Sequence, residues 1–283
     1  GSHLLWAGVA AEEIGFHTLF MTIWRDREHV LDLLEMLSGN RVNYATNKVG
    51  GVRRNIDPGQ GEKIMSKLRK VEEHVNRYIE VFPSDKTILA RCKDKGILTK
   101  GEARELCAVG PTARGSGVDM DIRRDDPYGA YDELDFLTIK EDDGDILAKT
   151  MVRFREINES IHLIRQAVDT LPSGPIRTKV SDDYPEGEGF GRIEAPRGEL
   201  FYYIRSEGGK TPQRVKVRTP TIANIPPIQA MLQGETLAEV PIVIESIDQC
   251  FACADRVTVI DSETGDSNVM TKEELKGLNN GSH

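Results

Sequence analysis

Between residues 62 and 82, Ile64, Leu68, Val71, Val75, Tyr78 and Phe82 recur at alternating steps of four and three, and Pro83 follows. That spacing lays all six side chains on one stripe of an α-helix. A second segment of this kind runs from about Asp145 to Leu171, with Phe154, Ile157, Ile161, Ile164, Val168 and Leu171 on one face and Pro172 after it. A helix with a single apolar stripe has to bury it, so the two are expected to pack against each other or a neighbour. Residues 4–37 carry a third helical pattern through Ile23, Val30, Leu34 and Leu37, divided at Gly15 and stopped by Gly39-Asn40.

After residue 173 the character changes. A stretch rich in Pro, Gly and Asp leads to strand candidates at 191–194, 199–206 and 213–218, with Gly208-Gly209 reading as a turn between the last two. Pro226-Pro227 punctuates, residues 228–247 return to a helical pattern interrupted by Gly234 and Pro241, and the tail offers a strand at 257–260, a turn at Thr264-Gly265-Asp266 and a short polar helix from Thr271. The pattern is that of an α+β fold, helix-dominated, with a small antiparallel sheet late in the chain.

Length and charge narrow the function classes. The 283 residues carry a net charge of −9 and are 39% hydrophobic, enough to build a real core. A surplus of acidic residues argues against nucleic acid as a partner, because phosphate binding needs clustered Lys and Arg. No uninterrupted apolar run is long enough for a bilayer span and no signal-like segment opens the chain, so a cytoplasmic location is expected. Four cysteines are too few for a disulfide scaffold, which leaves Cys92, Cys107, Cys250 and Cys253 as thiols or metal ligands.

Among these, Cys250-Phe251-Ala252-Cys253 is the sharpest local signal. Two thiolates three positions apart can bind one soft metal ion, and the same pattern also serves half a structural zinc site, a redox pair or two reduced core cysteines. Cys92 and Cys107 are poorly spaced to complete it. In Glu194-Ala195-Pro196-Arg197-Gly198-Glu199, the Pro and Gly shape a turn between two strands from which Arg197 projects, either as a multidentate donor or as a solvated turn residue. Thr219, Pro220 and Thr221 follow Arg218 at a strand end, where hydroxyls and free amides suit small anions or plain turn chemistry. Arg114-Gly115-Ser116-Gly117 only loosely resembles a phosphate cradle, Arg123-Arg124-Asp125-Asp126 reads as a surface of mutually paired charges, and His17, His29, His74 and His162 are isolated on helices and take no role.

In order along the chain, SHLLWAG, NKVGGVRR (47–54), RGSGVDMDIRRDDPY (114–128), YDELDF (131–136), EAPRGELFYYI (194–204), VRTPTIAN (217–224) and the terminal Cys-x-x-Cys resemble the large subunits of energy-converting nickel-iron hydrogenases and their complex I homologues. Ser2 and His3 fall inside the first of these. The complex I branch looks different at the last motif, having lost the metal-binding cysteines there. The resemblance implies a large-subunit hydrogenase/complex I type fold over residues 1–256 and a nickel-iron cluster with carbon monoxide and cyanide ligands. Cys250 then matches a terminal nickel ligand, Cys253 a bridging one, Arg197 the arginine over the open face, and Asp248 a carboxylate near the metals. Thr219, Pro220 and Thr221 match the segment lining the cyanides. Gln249 stands where the family usually has Pro, and the family's second Cys-x-x-Cys lies upstream of SHLLWAG. On its own the chain is therefore expected to bind no intact cluster and to be inactive.

Implied partners are that N-terminal large-subunit segment, an iron-sulfur small subunit and membrane ion-translocating subunits, with the chain peripheral on the cytoplasmic side of the membrane. Residues 257–283 resemble a C-terminal extension that a protease removes after Arg256, and their apolar run at 257–260 is expected to pair with an existing strand. Rival readings within the resemblance are a cofactor-free quinone- or sulfur-reductase subunit, in which Glu13 matches a complex I carboxylate, and a non-catalytic assembly module.

Overall fold

The computed structural model describes residues 1–181, 183–254, 257–270 and 273–274. The first helical pattern becomes α1 (Ser2–Glu13) and α2 (His17–Ser38), separated at Gly15 with φ +82°. The first striped segment is α3 (Pro58–Val81), entered through Asp57, whose backbone N–H donates to Gln60 Oε1 at 2.8 Å. Four short helices follow, α4 (Lys86–Cys92), α5 (Lys100–Glu105), α6 (Gly110–Arg114) and α7 (Ile122–Asp125). They are too brief to show a stripe, so periodicity alone does not reveal them.

The second striped segment is α8 (Ile146–Asp169), started by Asp145, whose carboxylate accepts the Ala148 N–H at 2.7 Å. As expected, α3 and α8 pack together, with Phe82 and Phe154 edge-to-face at 4.7 Å and Arg165 paired with Glu72 across the seam. One expectation needs correction. The N-terminal half of α8 is buried around its circumference, Lys149, Arg153 and Glu156 included, whereas Ile164 and Leu171 are exposed. This half of the helix turns its apolar side to α3, while Lys149 donates to the Gly96 and Gly144 carbonyls at 2.7 Å and Arg153 and Glu156 reach the two polar centres described below.

β1 (Asn47–Lys48) and β2 (Gly51–Val52) form a small hairpin. The late sheet has the order β3-β4-β5, all antiparallel, from β3 (Tyr184–Ala195), β4 (Gly198–Gly209) and β5 (Arg214–Arg218). Thr219 does not extend the strand. It caps α9 (Pro220–Met231), with Pro220 at the first helical position where its missing N–H matters least. Pro226-Pro227 lies inside α9 and is no break. Then comes α10 (Val240–Glu245), and the tail strands β6 (Val257–Ile260) and β7 (Ser267–Met270) pair with each other. The expected pairing of 257–260 with an existing strand is thus replaced by a local hairpin. The start of the expected polar helix, Thr271, lies outside the described residues.

Candidate functional site: an arginine-carboxylate-cysteine centre

Beyond α10 the chain runs irregularly from Ser246 to a single 3-10 turn at Phe251–Cys253, passing through Asp248 in the left-handed region at φ +56°. Buried backbone without sheet or helix partners needs others, and side chains from other elements provide them. Trp6 Nε1 on α1 donates to the Glu245 carbonyl at 2.6 Å. Arg153 on α8 donates to the Ser246 carbonyl at 2.8 Å, its guanidinium lying 4.0 Å over the Trp6 ring. Arg197 Nε donates to the Asp248 carbonyl. From the start of α9, Thr221 Oγ1 accepts the Cys250 N–H and the Thr219 hydroxyl donates to the Cys253 carbonyl, both at 3.1 Å.

Pro196 and Arg197 make the tight link between β3 and β4, as the sequence predicts. The link is seated by close backbone approach: a Cβ on Gly110 would stand 2.4 Å from the Arg197 carbonyl oxygen, and one on Gly198 2.7 Å from the Gly110 nitrogen. Both glycines also have positive φ, +64° and +125°. Buried Asn224 on α9 completes the seat, accepting the Val109 N–H at 2.9 Å and donating to the Val109 and Arg197 carbonyls at 3.2 and 3.4 Å. From this seat Arg197 Nη2 meets Asp248 Oδ1 at 2.7 Å.

Charge at the centre is poised near neutrality. Burial raises the Asp248 carboxyl to about 6 against the opposing pull of Arg153 and Arg197, and its Oδ2 is buried with no hydrogen-bond partner. Burial, then the charges of Asp248 and Glu13, raise Glu245 to about 7, and Gln249 donates to its Oε2 at 3.0 Å. The two thiols are hydrogen-bonded to each other and half-buried. Burial pushes Cys250 upward, but hydrogen bonds from Cys253 and backbone amides, with the Arg197 charge, bring it below the ordinary thiol range. Burial and the neighbouring Cys250 raise Cys253.

The fold therefore brings together Arg197, Asp248, Thr219, Thr221, Cys250 and Cys253. It keeps Cys92, buried on α4, and exposed Cys107 out of the group. Arg256 lies outside the described residues. Two adjacent soft donors suit nickel or iron, and no group of three or more His, Cys, Asp or Glu placed to hold a metal occurs among the described residues. The pair accounts for two of the four sulfurs a nickel-iron cluster requires.

Sequence reasoning missed a second polar centre. Arg114 does not sit in an open loop: it is fully buried, donating to Glu156 at 2.6 Å, to Glu194 at 2.8 Å and to the Met120 carbonyl at 3.0 Å. Glu156 Oε2 meets His3 Nε2 at 2.9 Å, and Glu194 Oε2 accepts the Ile122 N–H at 3.2 Å. Burial pushes Glu156 up, but Arg114 and His3 outweigh it and hold it at about 2. Burial dominates at His3 and Glu194, lowering the first and raising the second. The surface reading of 123–126 holds for Arg124, paired with Asp119 and Asp125, while Arg123 turns inward to Asp121. The advance signal for this centre was the placement of His3, Arg114 and Glu194 inside three motifs of the resemblance.

The chain is matched by known proteins. The profile of the respiratory-chain NADH dehydrogenase 49 kDa subunit matches residues 13–184 and 180–256. The chain is 39% identical, over 98% of its length and 68% of the relative's, to the membrane-bound hydrogenase subunit alpha of Pyrococcus furiosus. It is 34% identical to the carbon monoxide-induced hydrogenase of Rhodospirillum rubrum, covering 90% of this chain and 71% of that one. It is 39% identical to a subunit of the F(420)H(2) dehydrogenase of Methanosarcina mazei, covering 90% and 70%. Among solved structures, the archaeal membrane-bound sulfane sulfur reductase superimposes with a TM-score of 0.81 at 31% identity, covering 88% of this chain and 69% of the other. The chain belongs to the complex I 49 kDa subunit family, an oxidoreductase family shared by hydrogenases and quinone-linked dehydrogenases. No helix among the described residues is long and apolar enough to cross a membrane.

Proposed function

We propose that the chain is the metal-bearing part of the catalytic large subunit of an energy-converting nickel-iron hydrogenase, interconverting protons and dihydrogen. The observation that carries this reading is the convergence of Cys250, Cys253, Arg197 and Asp248 on one irregular segment. In it, Cys250 would serve as a terminal nickel ligand and Cys253 as a bridging one, with two further thiolates supplied from outside these residues. When bound, the cluster supplies the metal pair at which dihydrogen is split or formed. The chain's own contribution is orientation and proton holding. Asp248 fixes the Arg197 guanidinium in a planar, multidentate grip that Lys cannot reproduce. Its free Oδ2, together with Glu245, offers carboxyls that exchange protons near neutral pH. Thr219 and Thr221 bond the cysteine segment through their hydroxyls, and together with Pro220 at the start of α9 they would surround the cyanide ligands of a bound cluster.

In the same reading, electrons pass to an iron-sulfur small subunit, membrane ion-translocating subunits complete the assembly, and the chain lies on the cytoplasmic face. Residues 257–283 form a removable extension cut after Arg256. Mass spectrometry of the chain recovered from an active complex tests this: a nickel-loaded form continuing beyond Arg256 makes the tail permanent.

A second reading, a nickel-free sulfur- or quinone-reductase subunit, is favoured by the likeness to the sulfane sulfur reductase. Metal analysis, infrared spectroscopy and hydrogen uptake on the complex purified with its neighbouring subunits separate the two. Nickel with carbon monoxide and cyanide bands and hydrogen oxidation is expected. A nickel-free complex that reduces polysulfide or quinone replaces the first reading with the second, and one that does neither makes the chain an assembly module.

A further inference from the structure

Away from both centres, α2 ends beside the β1–β2 hairpin and the segment after α8. A groove of about 560 Å³ opens there, its apolar floor set by Leu34, Leu37, Ile56, Leu171 and Ile176. Leu37, Ser38, Tyr44, Thr46 and Arg54 border a second, adjoining hollow of about 220 Å³, which Arg53 also lines. The two are one amphipathic feature. Its cations are unusual for a chain of net charge −9: neither Arg53 nor Arg54 has a carboxylate partner among the described residues. The carboxylates of α2 go elsewhere, Glu28, Asp32 and Glu35 to Arg41, and Asp32 also to Lys67. Lys48, Arg177 and Lys179, likewise without carboxylates, line a further hollow past the hairpin.

We propose that this groove binds an anionic lipid, its acyl chain along Leu34, Leu37, Leu171 and Ile176 and its phosphate in the hollow of Arg53, Arg54, Tyr44 and Thr46. Charge complementarity calls for an anion, because Arg54 at the apolar slot and Arg53 in the adjoining hollow are both exposed, with no carboxylate among the described residues to answer them. The volume lies in the range of small-molecule sites. A peptide strand fits less well, because an added strand needs a free sheet edge and the edge of β2 beside the groove is already taken: the Val52 N–H donates to the Ile176 carbonyl at 3.0 Å and the Arg53 N–H to the Thr46 carbonyl at 2.9 Å. Apolar side chains and cations are what a lipid uses.

The test is calorimetric binding of dodecyl phosphate, below its micellar concentration, to the full chain, beside dodecyl maltoside and inorganic phosphate. One-to-one binding is expected, weakened roughly tenfold by shortening the probe to decyl phosphate. The paired exposed substitutions Arg53→Gln and Arg54→Gln should also weaken it about tenfold or more. Ile176→Asp, which obstructs the slot from its loop side, is a second variant, and circular dichroism verifies the fold of each. Equal binding of maltoside, undiminished binding in both folded variants, or no binding at all overturns the proposal. Phosphate binding as tightly as dodecyl phosphate overturns it in favour of a free-anion site. If the isolated chain binds the probe but the assembled complex does not, a neighbouring protein segment occupies the groove and the lipid assignment falls.

Discussion

The molecule holds two guanidinium-carboxylate centres built from opposite strategies. Around Arg114, the buried guanidinium is answered by two carboxylates and a carbonyl, Glu194 also takes an N–H, and Glu156 stays ionised far below neutrality, with His3 Nδ1 left as the one buried atom of the group without a hydrogen-bond partner among the described residues. Around Arg197, the ion pair with Asp248 leaves Oδ2 orphaned, the carboxyls are lifted toward neutral pH and the thiols are half-exposed. A satisfied buried network resists change because losing one member strands the others. An incompletely satisfied one stands ready to exchange protons or ligands, and it stores strain, here in the left-handed backbone of Asp248.

Substitutions can break this contrast. The largest effect on stability is expected from Arg114→Leu, which leaves Glu156 and Glu194 buried without a cation and should cost about 3–5 kcal/mol in denaturant unfolding. A cost under about 1 kcal/mol would show that the network is not sealed. Arg197→Lys should barely alter folding or metal content. In the complete enzyme it should lower turnover roughly a hundredfold, about 3 kcal/mol in the barrier. Unchanged hydrogen uptake returns Arg197 to a purely structural role.

The pH dependence of stability sharpens the comparison, because the centres act with opposite sign. Glu156, held at about 2 in the fold, contributes stability that is present above the ordinary glutamate range and lost as pH falls toward 2. At about 1.4 kcal/mol per unit its contribution is on the order of 3 kcal/mol. Glu245, raised to about 7, contributes stability present below its unfolded value of 4.5 and lost as pH rises through 7. That contribution is on the order of 1–2 kcal/mol after discounting for its partial exposure. Glu156→Gln should flatten the acid limb and Glu245→Gln the slope between pH 5 and 7. Reversed assignments of the two slopes would count against the electrostatic account. The smallest stability change, under about 0.5 kcal/mol, is expected for Cys253→Ser, a near-isosteric change at a half-buried thiol. In the complete enzyme the same variant should lose its nickel.

Legibility in the sequence followed the physics of each element. Helices α3 and α8 were readable because a long amphipathic stripe repeats the same message six times. The hairpin carrying Arg197 was readable because Pro196 and Gly198 leave little choice at the turn. Helix α9 was misread at its start and in its middle, since Pro220 looks the same at a strand end as at the first turn of a helix, and Pro226-Pro227 resembles punctuation wherever it falls. The Cys250 and Cys253 pair announced itself by local spacing, whereas Glu245, Gly110 and Asn224 gave no such sign. Gly110 acts on the Arg197 turn 87 positions away and Asn224 on Val109 115 away, while Glu245, only 3 positions from Asp248, owes its shift first to burial.

By itself, the sequence determined the helix-dominated α+β class, the long helices, the late hairpin and the presence of paired thiols, all properties of residues within a few turns or one strand pair of each other. Only the tertiary structure decided that Arg114 is buried between two carboxylates while Arg197 lies beside the cysteine segment, that α8 is buried around its N-terminal half, and that Arg54 borders an apolar groove with Arg53 in the hollow next to it. Burial, desolvation and ion pairing are sums over neighbours from distant parts of the chain, so the same residue type becomes structural or reactive according to which charges and surfaces the fold places around it.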